Sequence, residues 1–134
     1  MTPFPLKIVT PDGMEYEGMA EELIVRTTTG DIGILAGHTP CVASLGMGRA
    51  TIVADGKKRY AACIGGMVSV SAVGVTLVPT TFEFAEDIDA DRAEVSYQHA
   101  QEILSRKDAS DTDIRLAQAR LRRALVRKSA ASTK

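Results

Sequence analysis

The sequence predicts an all-β sandwich followed by an α-helical hairpin, with an anchoring sandwich over residues 1–86 and an antiparallel helix-loop-helix over 87–134. Three observations predict it. All eleven glycines fall at or before Gly74 and all five prolines at or before Pro79, so the residues that punctuate turns stop where long helices are free to run. The first part alternates turn signals with short β-forming runs. In the last part apolar residues recur at three- and four-residue steps, which is the helical spacing.

The strands are read between their turns. Leu6-Lys7-Ile8-Val9, Leu23-Ile24-Val25-Arg26-Thr27, Ala50-Thr51-Ile52-Val53 and Val75-Thr76-Leu77-Val78 are rich in branched side chains. Met67-Val68-Ser69-Val70-Ser71 alternates apolar with small polar residues, as a half-buried strand does. Short strands at close spacing belong to sandwiches and barrels. Asp55-Gly56 reads as a hairpin tip, because both residues tolerate positive φ. The first helix follows from Ala93, Tyr97, Ala100, Ile103 and Leu104, with Asp91 and Glu94 as a capping-box start and Asp89 as the alternative cap. The polar run Lys107–Thr112 breaks the pattern. Ile114, Ala117, Leu121, Ala124 and Leu125 then mark the second helix, and Ser129–Lys134 is expected to be a frayed tail. A connection this short makes the helices antiparallel.

Composition narrows the function. The chain has 134 residues and a formal net charge of −1, so no general basic excess marks it for nucleic acid. No apolar run reaches the roughly 20 residues that span a bilayer. Met1-Thr2-Pro3-Phe4-Pro5 has neither the basic start nor the apolar core of a signal peptide, and an intracellular protein without membrane insertion is expected. Charge is unevenly spread: residues 1–87 sum to −4 and residues 88–134 to +3. Most of the positive charge is arginine on the second helix, at Arg115, Arg120, Arg122, Arg123 and Arg127. That helix lacks the aromatic residues on which bases stack.

Three constellations carry possible chemistry. Gly30–Pro40 is glycine-rich without the Lys-Ser/Thr ending of a phosphate loop. It reads either as a compact loop with left-handed glycines or as a protein-contact loop between Asp31 and His38. His38 with Cys41 has only two further candidate ligands for a metal site and lacks the orienting third group of a nucleophilic site, so no metal is expected, and Cys41 and Cys63 read as strand or core residues. The third constellation is the charged end of the hairpin. Asp89 and Arg92 share a face of the first helix, Arg123 and Arg127 a face of the second. Antiparallel packing brings these ends together. The set reads either as a phosphate-binding cluster, since guanidinium forks hold phosphate oxygens in pairs, or as a solvated basic face with weak ion pairs.

Four motifs in order give the chain a family resemblance: Val9-Thr10-Pro11-Asp12-Gly13 with Tyr16-Glu17-Gly18, then Gly33–Pro40, then Gly65-Gly66-Met67-Val68, then Glu86–Ala93. Together they resemble the epsilon subunit of bacterial F-type ATP synthase over nearly the whole chain. The resemblance implies a non-catalytic rotor subunit of the central stalk, active in ion-gradient-driven ATP synthesis at the cytoplasmic face of the cell membrane. It implies a sandwich that binds the gamma subunit and meets the c-ring through a loop carrying Asp31 and His38. It implies a mobile hairpin that inhibits ATP hydrolysis when extended toward the alpha and beta subunits, with Arg115 and Arg122 in contact. No cofactor is required. ATP is implied as a regulatory ligand through the motif Ile88-Asp89-x-x-Arg92-Ala93, partnered by Glu83, Arg123 and Arg127. His99 stands where the best-binding members carry Arg, which lowers the expected affinity. Ala36 and Met67 replace the family's usual Pro and Phe. Outside the resemblance, the residues also admit a stand-alone β-sandwich protein-binding module with a coiled-coil tail, or a small enzyme built on His38 and Cys41.

Overall fold

The computed structural model describes residues 2–133. Eight strands come first: β1 (Phe4–Thr10), β2 (Gly13–Ala20), β3 (Glu22–Thr27), β4 (Gly30–Ile34), β5 (Cys41–Ser44), β6 (Met47–Ala54), β7 (Lys57–Ser71) and β8 (Gly74–Phe84). A single 3-10 turn, Ala85–Asp87, leads into α1 (Ala90–Ser105) and α2 (Asp111–Ala131). The predicted sandwich-then-hairpin order is the observed one. All five expected strand runs lie within strands.

The pairing runs β2-β1-β8-β7-β6-β3-β4, with β5 added to β7. All pairs are antiparallel except β1 with β8. The 15-residue β7 serves both layers. Its first half pairs with β6, from Lys57 to Ile64, and its second with β5, from Met67 to Val70. The change of partner falls at Gly65 and Gly66, with φ of +67° and +97°. A Cβ on Gly66 would stand 2.0 Å from the carbonyl oxygen of Val78, so only glycine fits where the strand turns between layers. Inward residues alternate along β1 and β3, as Phe4, Leu6, Ile8 and Thr10 do on β1, whereas β6 and β7 also carry runs of consecutive buried residues. Phe4, Leu6 and Ile8 form one core with Leu23, Val25, Ile52, Val68, Leu77, Phe82 and Phe84.

Three strands go beyond the sequence reading. β2 and β4 carry glycines, and β5 has only four residues. Gly33 lies inside β4 and is not among the residues with positive φ, so the expected Gly30–Pro40 loop shrinks to Leu35–Pro40. Asp31 is therefore a strand residue, paired across to Arg26 at 2.7 Å.

The helix starts are also corrected in detail. α1 is capped by Asp89, whose carboxylate accepts from the Arg92 amide at 3.0 Å; Asp91 is inside the helix. α2 begins at Asp111, earlier than the polar run suggested, because Ser110 and Asp113 form a reciprocal capping box. Its end is not frayed. The helix continues to Ala131, with Ala130 fully buried and Ala131 9% exposed. The tail packs because its residues are small enough to seat against the sheet. Lys134 lies outside the described residues.

Candidate functional site

The site is built where α2 crosses the sheet. The hairpin leans on the sandwich mainly through α2, which rests on β6, β7 and the 3-10 turn. Between them opens a cleft of about 310 Å³, lined by Ile64 and Thr81 from the strands, Glu83 at the end of β8, Ser96 of α1, and Arg120, Arg123, Ala124 and Arg127 of α2. Its size is at the lower end of small-molecule pockets. Arg120, Arg123 and Arg127 recur at helical steps and present three guanidinium groups along one side. Glu83 is the one acid on the lining.

Arg127 is committed to Glu83. Its Nε lies 2.8 Å from Oε1, and its Nη2 donates to Oε2 at 3.3 Å. The buried Nε–H has no acceptor in line among the described residues, so its contact to Oε1 is electrostatic. Both side chains are mostly buried, and this pair is screened less than the surface ion pairs. Arg120 and Arg123 are exposed. They are positioned to meet an anion with little loss of existing contacts.

The structure brings together only part of the sequence-predicted set. Glu83, Arg123 and Arg127 line the cleft; Asp89 and Arg92 do not. The register explains it. Lys128 on α2 pairs with Glu94 on α1, so Asp89, five residues nearer the start of α1, stands level with the last turn of α2, past the arginines. Its carboxylate is spent on capping. Arg92 is exposed on the first turn. Ile88, 2% exposed, packs with Ala62, Ala130 and Ala131, and Ala93 is fully buried. The motif Ile88-Asp89-x-x-Arg92-Ala93 thus starts and seats the helix. His99 lies on the outer face of α1, in a shallow groove with Val95, Gln98 and Glu102. Arg115 and Arg122 are exposed on α2. Arg120 and Ser96 join the lining beyond the expected set; for Arg120 the helical spacing from Arg123 and Arg127 is the signal in the sequence.

Ion pairs surround this end. Arg59 of β7 holds Glu86 and lies 3.7 Å over the Phe84 ring. Hydrogen bonding from Arg59 keeps the Glu86 carboxyl below its ordinary range. Lys128 does the same for Glu94 and sits 4.1 Å over the Tyr97 ring. At the opposite end of the sandwich, His38 faces the β7–β8 turn with Leu35, Val73 and Gly74, and Val73 is 83% exposed. Asp31 is not on that lining. It borders α2 near Leu125 and Ser129, so the structure separates the two residues expected to share one loop. Burial pushes the Cys63 thiol up to about 12, which leaves it unreactive. Among the described residues no group of three His, Cys, Asp or Glu gathers to hold a metal. Among the same described residues no helix is long and apolar enough to cross a membrane.

Comparison with known proteins covers both parts of the chain. The family model for the ATP synthase delta/epsilon chain β-sandwich domain matches residues 3–85, and that for the delta/epsilon chain long alpha-helix domain matches 86–132. An ATP synthase epsilon chain of Ruminococcus albus is 41% identical over the full length of both chains. One from Bacillus subtilis is 44% identical over 82% of this chain and 83% of its own. A chain in the cryo-EM structure of the Euglena gracilis mitochondrial ATP synthase superposes with a TM-score of 0.84 at 20% identity, over all of this chain and 83% of that one.

Proposed function

The chain belongs to the ATP synthase delta/epsilon family, as a non-catalytic epsilon chain, and from that premise we propose that it works as a rotor element whose helical hairpin is a mobile, nucleotide-sensing brake on ATP hydrolysis. In this reading the sandwich binds the gamma subunit. Its far end, with the His38 loop and the exposed Val73, meets the c-ring at the cytoplasmic face of the bacterial cell membrane. Arg115 and Arg122, exposed on α2, contact the alpha and beta subunits when the hairpin extends. An enzyme built on His38 and Cys41, or a stand-alone module, has no place in this family.

The observation that carries the nucleotide part is the cleft lined by both sandwich and hairpin, with Glu83 on one side and Arg120, Arg123 and Arg127 on the other. A phosphate chain laid along the arginines binds only where sheet and helix are apposed. A ligand shifts an equilibrium by its differential affinity for the two states, so ATP in this cleft favours the folded hairpin. Asp89 and Arg92 contribute by fixing the start of α1.

Titration calorimetry of the isolated chain with ATP tests the site. Measurable binding is expected, and Arg123→Ala should abolish it. No heat at millimolar ATP, with no change in the hairpin's NMR signals, would refute it. Truncation after Ala85 tests the division of labour: gamma binding should persist while inhibition of hydrolysis disappears, and loss of gamma binding would contradict it.

A further inference from the structure

Ala62 lies on β7 directly opposite Glu83 on β8, so the two side chains share the sheet face turned away from the sandwich core. Ala62 is nevertheless fully buried. It belongs to a second apolar cluster with Ile88, Ala130 and Ala131, against which Val126 packs. What covers Ala62 is therefore the last turn of α2, together with the linker's Ile88. Beside this seat stands the Glu83–Arg127 pair. Apolar seat and acidic post are neighbours on the sheet, and both are filled by the same stretch of α2, residues 126–131.

Two features make this contact selective. All three covering or covered alanines are small, so backbone and sheet approach closely, and a larger side chain at Ala130 has nowhere to go without lifting the helix. The charge of Arg127 is also already answered by Glu83, so closing the hairpin leaves no half-buried cation waiting for an anion.

We propose that the end of α2 is a latch: seated on Ala62 and Ile88 and pinned by Glu83, it holds the hairpin closed with no ligand present. The latch presupposes the mobile hairpin proposed above. Nucleotide then tightens a hairpin already shut; it does not assemble it. Control of opening lies in the last turn of α2 and not along its length.

Hydrogen exchange of the full-length chain, without nucleotide, tests the latch. In the unmodified chain the amides over residues 120–131 should exchange slowly. In Ala130→Phe they should exchange about tenfold faster, the expected result of a destabilised local closure, while core amides at Ile52 and Leu77 stay protected and so report an intact sandwich. Ala130→Ser should behave as the unmodified chain. Equal exchange in Ala130→Phe and the unmodified chain, whether both slow or both fast, would overturn the proposal. So would fast exchange in the unmodified chain that slows only when ATP is added. Because the deciding comparison contains no nucleotide, a failure of ATP to bind defeats the cleft and leaves the latch standing.

Discussion

The two parts of the chain bury different side chains. Between the sheet layers lie Leu6, Ile8, Leu23, Val25, Ile34, Ile52, Val68 and Leu77, each no more than 2% exposed. In the hairpin the buried positions of α1 are Ala93 and Ala100, and those of α2 within the helix pair are Ala117 and Ala124. They repeat every seven residues, so each helix presents one narrow alanine seam to the other. Burying a leucine or isoleucine side chain is worth about 1.5–3 kcal/mol, against about 0.8 kcal/mol for a single carbon. The helices approach closely yet hide little apolar area. The difference teaches how one short chain combines a core of large side chains with a seam of small ones: by burial, the sandwich is the more expensive of the two to open.

The strongest way to break that comparison is to attack the sandwich. Leu77→Ala removes a fully buried side chain and should cost about 2–5 kcal/mol, read as a lowered urea midpoint of the sheet signal. A loss no larger than that of an exposed substitution would mean that the core is not the source of rigidity. An intermediate effect is expected in the seam. Ala124→Leu should cost about 1–3 kcal/mol by overpacking, with the helical signal melting earlier and the sheet transition unmoved. If both signals moved together, sandwich and hairpin would be one cooperative unit and the contrast would fall.

The smallest effect sharpens the boundary between them. Glu86 and Glu94 have carboxyl pKa values below the ordinary 4.5, held down first by hydrogen bonds from Arg59 and Lys128. A depressed folded-state pKa contributes stability above the unfolded value and loses it as pH falls through the folded one. The hairpin should therefore be indifferent to pH from neutrality down to about 4.5 and loosen only below that, seen as a shift of the Tyr97 ring signals before the sheet unfolds. Lys128→Ala should remove the Glu94 part of this response. An unchanged acid profile in that variant would show the pair to be incidental.

Much of this architecture was legible beforehand. Alternation at Met67–Ser71 and the three- and four-residue steps at Ala93–Leu104 report which face is buried, and burial decides the element. β2, β4 and β5 were not legible, because their glycines and short lengths mimic loop composition and their pairing depends on distant partners. The tail at Ser129–Ala131 hides its packing for a related reason: two alanines and a serine look like a fraying end until the sheet surface at Ala62 is in place. In the cleft, helical spacing found Arg123 and Arg127. The offset of Asp89 follows from the Glu94–Lys128 register, which no local pattern encodes. The Gly66 switch point in β7 was visible only as a glycine pair.

The caps of the two helices have a mechanical meaning. Asp89 closes the first turn of α1 on itself, and Ser110 and Asp113 close that of α2. None of these bonds borrows an atom from the sheet, so the terminators travel with the helices. In the release proposed above, the hairpin moves as a pair of finished struts, able to push against a neighbour with no refolding between departure and arrival.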